Sequence, residues 1–173
     1  MSISLHAASV ETYLQTLPAI AGLIDKAESW CKERGLPDTA LTEARLAPDM
    51  WPFAKQVMVV AAHSEGTIRA LGGGEFGPDL TPAPTDFASL RETIAGAIAY
   101  LRGVDPADVN ARAGRDMDFV FGERRMPFTA ETFVLSFSLP NFFFHATTAF
   151  AILRNQGLPV GKGDFLGAMR MRG

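Results

Sequence analysis

The sequence predicts an all-α protein, an antiparallel four-helix bundle with a small β-hairpin between the third and fourth long helices. Three observations predict this class. Apolar residues recur at three- and four-residue spacing along four long stretches, which is the period of an amphipathic helix. Glycine and proline clusters separate those stretches, and one short segment alternates as a strand does. The connections are short or moderate in length, which favours antiparallel neighbours.

Composition limits the classes of function. A chain of 173 residues, 47% hydrophobic and 20% charged, has the make-up of one folded domain. We expect that domain to span residues 1–173, with about 158–173 forming a C-terminal extension that frays at its tip. A net charge of -3 argues against a nucleic-acid binder, which usually carries a basic stripe. The single cysteine, Cys31, excludes an internal disulfide and a cysteine-rich zinc site.

One uncharged segment has the length of a membrane span. It lies between Glu131 and Arg154, but it contains Pro140 and several hydroxyl and amide side chains that are costly in lipid. We therefore predict a buried core helix and no membrane partner. The first residues also lack the basic region and apolar run of a secretion signal, so the expected location is the cytoplasm.

The first two helices have clear boundaries. The spacing predicts a first helix from Leu5 to Arg34, kinked at Pro18 and ended by Gly35. The second is predicted to begin with Asp49 as its N-cap and Pro52 in its first turn, and to end at a run of three glycines. No Lys-Ser/Thr pair follows that run, so it is not a phosphate-binding loop.

Similar signals mark the elements in the second half of the chain. Thr85 or Asp86 is expected to cap the third helix. Apolar and polar residues alternate within residues 117–125, which predicts the hairpin. Thr129 is expected to cap the fourth helix, which closes at Gly157.

The fourth helix carries the most informative polar residues. Asn141 and His145 lie four residues apart and share a face, which Thr148 continues. Pro140 should free a carbonyl and leave a polar gap beside Asn141. A buried polar group without a partner costs about 1–3 kcal/mol, so both side chains need partners from another helix or from a ligand. They define a candidate pocket.

The second helix can supply part of that pocket. Gln56 borders its apolar stripe and should reach inward to the fourth helix, whereas His63 is expected to face solvent. Arg45 is a candidate to pair with Asp49 or to line the mouth of the bundle, and both residues are included in the candidate pocket. For His145, a hydrogen-bonded core residue and a ligand or metal contact both stay open.

The phenylalanines of the fourth helix are more numerous than one core face needs. Core packing explains part of the set, and the surplus predicts a contact surface, most simply that of a homodimer. The set is Phe133, Phe137, Phe142, Phe143, Phe144 and Phe150.

Two segments carry a resemblance to a known family. They read Arg45-Leu-Ala-Pro-Asp-Met-Trp-Pro-Phe-Ala-Lys-Gln-Val and Leu139-Pro-Asn-Phe-Phe-Phe-His-Ala-Thr-Thr-Ala-Phe-Ala-Ile-Leu-Arg-Asn-Gln-Gly. Together they resemble an uncharacterised domain-of-unknown-function family that is similar to the DinB/YfiT-like helical bundles. The resemblance extends from Ser2 to Gly167 and implies a four-helix bundle, often dimeric.

The resemblance also implies a place for a metal. Many DinB-like relatives hold a divalent metal, such as zinc or nickel, with one histidine from the second helix and two from the fourth. Those positions correspond to Gln56, Asn141 and His145, so one histidine is kept and the implied site is degenerate. Amide oxygens are weak ligands for zinc or nickel compared with imidazole.

Three functions follow as alternatives, and whether the chain is an enzyme stays open. The first is a bundle that binds a small ligand, or has a structural role, with a pocket at Gln56, Asn141 and His145. The second, implied by the resemblance, is a divalent-metal-dependent enzyme of the hydrolase or thiol-transferase type, with His145 as the metal ligand. The third is a protein-interaction module that uses the aromatic surface.

Overall fold

The computed structural model describes residues 3–171, which are predominantly helical with a small three-stranded sheet. The helices are α1 (Leu5–Ala8), α2 (Val10–Glu33), α3 (Thr39–Thr42), α4 (Phe53–Ala61), α5 (Thr67–Gly73), α6 (Phe87–Arg102), α7 (Pro106–Asn110), α8 (Ala130–Phe133), α9 (Leu139–Asn155) and α10 (Lys162–Leu166). The strands are β1 (Glu75–Phe76), β2 (Asp116–Phe121) and β3 (Arg124–Thr129).

The predicted first helix is divided into α1 and α2. Ser9 separates them with a backbone ψ of -76°, and its Oγ donates to the Leu5 carbonyl at 2.6 Å. The prediction of one unbroken helix from Leu5 is therefore wrong, because the helix is interrupted at Ser9. Gly35 follows the end of α2 at a φ of 63°, as the sequence predicts. Helix α2 continues through Pro18, where the kink stays a prediction.

Two long helical stretches each contain one π-helical turn. The first π-turn, Ala62–Gly66, joins α4 to α5, and the second π-turn, Val134–Ser138, joins α8 to α9. A π-turn is a local departure with i→i+5 hydrogen bonds and accommodates one residue more than an α-helical turn. Apolar periodicity predicts both stretches as single helices and does not reveal the turns.

Helix caps follow the sequence in two cases and depart from it in one. Asp86 accepts a hydrogen bond from the Ser89 N–H at 2.7 Å and caps α6, and Thr129 caps α8. Asp49 is not a cap, because α4 begins at Phe53 and Pro52 occupies the N-cap position. The residue before a proline disfavours the helical conformation, so a helix starting at Asp49 would be broken at Trp51.

The long helices bury one continuous apolar core. Helix α2 packs against α6, α4 packs against α9, and α4 also contacts α6. The largest fully buried side chains in this core include five aromatic rings, each excluding a large apolar area from water. They are Tyr13, Phe53, Phe87, Phe133 and Phe142.

The predicted hairpin is present, and it gains a third strand. Strands β2 and β3 pair antiparallel, and β1 pairs in parallel with β2, so that Glu75 lies opposite Asp118. Arg125 forms ion pairs with both of these carboxylates. Strand β1 is two residues long and carries no alternation of its own, which is why the sequence does not predict it.

The uncharged segment between Glu131 and Arg154 forms α8, the second π-turn and α9. Within residues 3–171, no helix combines the length and the apolar character that a membrane crossing needs. Phe142 is fully buried, whereas Phe143 and Phe144 are 38% and 57% exposed.

The chain after α9 folds back onto α2. Helix α10 packs against α2, Lys26 forms an ion pair with Asp164, and Gln15 Nε2 donates to the Leu166 carbonyl at 3.1 Å. The predicted fraying of the chain tip falls on residues 172–173, outside the described residues.

Gly167 allows this docking. Its φ of +66° lies in the left-handed region, and a Cβ at this position would overlap the Gln15 carbonyl. We expect Gly167→Ala to detach the C-terminal segment and to lower the free energy of unfolding by about 1–3 kcal/mol. Limited proteolysis and urea unfolding measure the two effects. Gly163→Ala is the matched control, because its Cβ meets no atom within 4 Å; equal sensitivity of both variants contradicts the docking role.

Candidate functional site

A cavity of about 170 Å³ lies between α4, the first π-turn, α9 and the sheet. Four polar residues line it, and aromatic residues form most of the remaining wall. The polar residues are His63, Asp79, Asn141 and His145, and the aromatic ones are Trp51, Phe76, Phe119 and Phe137.

Gln56 fixes the orientation and the protonation of His145. The Gln56 Nε2 donates to the Trp51 carbonyl at 3.0 Å, and its Oε1 lies 2.6 Å from Nδ1 of His145. An amide oxygen only accepts, so Nδ1 of His145 carries the proton and Nε2 keeps a free lone pair. The predicted contact between the second and fourth helical stretches is thus present, with Gln56 as the group that orients the imidazole.

His63 lies in the same cavity, contrary to the expectation that it faces solvent. Its side chain is buried, and its ring stacks on His145 at 6.2 Å between centroids with planes 13° apart. Phe76 and Phe137 cover the ring at 5.1 and 5.7 Å. The covering residues come from β1 and the second π-turn, so the period of the second helix alone could not show the burial.

Burial keeps both imidazoles neutral. It lowers the pKa of His63 to about 4, with a further contribution from neighbouring His145, and it lowers the pKa of His145 to about 4. Near pH 7 the cavity therefore presents uncharged rings. A neutral imidazole can accept a hydrogen bond or a proton, which an imidazolium cannot do.

A cluster of buried hydroxyl groups is hydrogen-bonded to the first π-turn. Ser138 Oγ donates to the His63 carbonyl at 2.8 Å and also contacts Thr67 Oγ1 at 2.6 Å and the Tyr13 hydroxyl at 3.0 Å. Burial raises the pKa of Tyr13 well above its ordinary range, so this hydroxyl stays protonated. Because Ser138 ends the second π-turn, the cluster ties the two π-turns together. Sequence analysis did not single out Tyr13, Thr67 or Ser138 as interacting residues.

A buried lysine holds the loop that borders the cavity by hydrogen bonds to two of its carbonyls. Lys55 is 9% exposed, and its Nζ donates to the carbonyls of Asp79 and Thr81 at 2.8 and 2.7 Å. Burial opposes ionisation of the Asp79 carboxyl, but hydrogen bonds from Thr81 and the charge of Lys55 lower its pKa overall. A lysine on an otherwise apolar helix face was the available sequence signal for this contact.

The remaining predicted residues divide into one that lines the cavity and three that do not. Asn141 lines it, but its Nδ2 donates to the Phe137 carbonyl at 2.7 Å and not to His145. Thr148 donates to the Phe144 carbonyl at 2.7 Å. Arg45 is exposed and donates to the Met50 carbonyl at 3.2 Å, and Asp49 is exposed.

The donor set does not fit the three-ligand metal site that the resemblance implies. Gln56 Oε1 accepts a hydrogen bond from Nδ1 of His145. In metal sites, this is the position of a residue that orients a histidine ligand, and such a residue does not itself bind the metal. Gln56 is therefore not placed as a metal ligand. Among residues 3–171, no three His, Cys, Asp or Glu side chains are grouped to hold one ion. The cavity brings together two imidazoles, His63 and His145, and their chemistry is that of neutral hydrogen-bonding rings.

A substitution at Gln56 tests the orientation of His145. Gln56→Glu places a carboxylate against Nδ1, and we expect it to raise the pKa of His145 by about 1–3 units, because an adjacent opposite charge favours the imidazolium. A side-chain NMR titration measures the change. Gln156→Glu, on an exposed residue that follows α9, is the control. An unchanged His145 pKa in Gln56→Glu rules out the contact.

Comparisons with known proteins agree with this architecture. The structure is similar to the crystal structure of a DinB family member protein from Shewanella denitrificans, with 29% sequence identity and a TM-score of 0.81. The match covers 98% of this chain and 95% of that chain. No curated protein matches the sequence significantly. The family model described as "Domain of unknown function (DUF1993)" matches residues 5–166, and the chain therefore belongs to the DUF1993 family.

Proposed function

We propose that this chain is a small-ligand-binding domain whose binding site is the cavity at His63 and His145. The observation that carries the proposal is the fixed tautomer of His145. Gln56 holds the protonated Nδ1, which leaves the lone pair of Nε2 to accept a hydrogen bond from a ligand. Binding cavities are commonly apolar with a few oriented polar groups, and the aromatic wall and two imidazoles have that character.

We further propose that the four long helical stretches form an antiparallel bundle around this site. The contacts of α2 with α6, of α4 with α6 and of α4 with α9 support it, because they join all four stretches. The Gln56–His145 hydrogen bond would then link two facing helices, as cofactor and ligand sites in bundles commonly do.

Binding of chemically diverse small fragments tests the proposal. With histidine side chains labelled with ¹⁵N at pH 7.5, we expect a subset of fragments to shift the His145 Nε2 resonance saturably. His145→Phe keeps a ring but removes both nitrogens, so it should weaken the binding of fragments that donate a hydrogen bond, as followed through the His63 resonances, whereas His6→Phe, at a histidine outside the cavity, should not.

Two results overturn the proposal. The first is the absence of a saturable shift across the whole fragment set. The second is near-stoichiometric binding of added zinc or nickel to untagged protein that is lost in His145→Phe, because that outcome supports the metal-dependent enzyme.

We also propose a homodimer that uses the outer face of α9. Phe143 and Phe144 are exposed on this helix, and Leu135 in the second π-turn is 56% exposed. Apolar side chains grouped on a surface mark contact sites. Light scattering at micromolar concentration should give the dimer mass, and Phe144→Lys should give the monomer mass. A monomeric unmodified chain overturns this proposal.

A further inference from the structure

We infer that the ligand of this cavity is a small uncharged ring compound carrying a hydroxyl group, of the size and polarity of phenol. The inference rests on the proposed function and adds to it the chemical class of the ligand. Three properties of the cavity carry it: the volume, the arrangement of hydrogen-bonding nitrogens, and the charge.

The volume sets the size of the ligand. The cavity measures about 170 Å³. An apolar protein cavity of about 150 Å³ is large enough to bind benzene, so this cavity fits one six-membered ring with a small substituent. The walls suit a flat ring, because Trp51, Phe119 and Phe137 present aromatic surface to the cavity.

The two imidazoles offer one acceptor and one donor. Nε2 of His145 is an acceptor, because Nδ1 holds the proton against Gln56. Nδ1 of His63 is buried and has no hydrogen-bond partner among residues 3–171. A buried N–H without an acceptor is rarer and more costly than a bare lone pair, so the proton of His63 belongs on Nε2. A ligand hydroxyl both donates and accepts, and it therefore matches the pair.

The charge of the cavity favours an uncharged ligand. Both imidazoles are neutral near pH 7, so neither supplies a positive charge to an anion. Transfer of any charged group into this aromatic site also costs more than transfer of a neutral hydroxyl.

Three probes of similar size separate these chemistries. Phenol carries a hydroxyl, anisole replaces the hydroxyl hydrogen with a methyl group, and benzoate is an anion. We titrate each into the folded chain at pH 7.5 and follow the imidazole ¹⁵N resonances. We expect phenol to bind saturably, to shift Nε2 of both His63 and His145, and to bind at least about tenfold more tightly than anisole and benzoate.

Variants locate the effect. His145→Phe should reduce the preference of phenol over anisole to within about twofold, and His6→Phe should leave it unchanged. If His145→Phe does not fold, Gln56→Leu serves instead, because it removes the acceptor that fixes the His145 tautomer.

The other possible results of the titrations contradict either the ligand class or the binding site itself. Equal binding of phenol and anisole, or tighter binding of benzoate, overturns the hydroxyl assignment but leaves the proposed binding site intact. If none of the probes shifts either ring while other fragments do, the ligand class is wrong and the site stands. If no compound of any class shifts them, the proposed function and this inference both fail.

Discussion

Replacing Ser138 by alanine is expected to lower the free energy of unfolding by about 2–3 kcal/mol. The Ser138 hydroxyl contacts the Tyr13 hydroxyl and Thr67 Oγ1 and donates to the His63 carbonyl. Thr67 Oγ1 still reaches the His63 carbonyl at 3.2 Å, but the fully buried Tyr13 hydroxyl is left without this partner. An unsatisfied buried polar group costs about 1–3 kcal/mol, and loss of the connected cluster adds to that cost. Urea unfolding at pH 8 measures the change.

Ser136→Ala is the matched control, because Ser136 lies in the same π-turn but is exposed. We expect a change within about 0.5 kcal/mol for it. Adding Tyr13→Phe to Ser138→Ala removes the hydroxyl that has lost its Ser138 partner and should recover part of the loss, so the two substitutions should not be additive. A Ser138→Ala protein as stable as the unmodified chain contradicts the role of the cluster.

Acidification from pH 8 to pH 5 is expected to destabilise the fold by about 1–2 kcal/mol for each of the two cavity imidazoles. The unfolded chain binds protons at histidine as the pH falls through about 6.5, whereas His63 and His145 in the folded chain have a pKa of about 4. Between these values the unfolded state binds more protons, so stability is fully present above pH 6.5 and is lost as the pH falls towards 4. Urea unfolding at several pH values measures the slope.

Substitution of His63 isolates its contribution to the pH dependence of stability. His63→Phe keeps an aromatic ring beside Phe76 and removes one titrating group, so about half of the pH dependence should disappear. Carboxylates with a lowered pKa, such as Glu28 and Asp164, lose their stabilising contribution mainly below pH 4, outside this range. An identical slope in His63→Phe shows that the cavity histidines do not cause the acid sensitivity.

Much of the fold could be predicted from local signals. Periodic apolar residues and caps such as Asp86 and Thr129 located the long helices, since both act within one or two turns of chain. Asp49 was misassigned because the restriction that Pro52 places on Trp51 outweighs the capping preference. The π-turns and the two-residue strand β1 depend on contacts between distant segments, so no local pattern revealed them.

The same distinction holds at the candidate site. Gln56 and His145 were identified because each is a polar residue on a face predicted to be buried, and the structure joins them by a hydrogen bond. The sequence predicts that His63 faces solvent, because the residues that cover it, Phe76 and Phe137, come from other segments. Lys55 likewise acquires its role only when the loop at Asp79 folds over α4.

The hydroxyl link between the two π-turns has an evolutionary consequence. Each π-turn holds one residue beyond an ordinary helical turn, and Ser138 in the second satisfies the carbonyl of His63 in the first. A lineage that deleted the extra residue from one helix would move one of the two residues out of this hydrogen bond. In homologous chains we therefore expect single-residue gaps in these two helices to occur together.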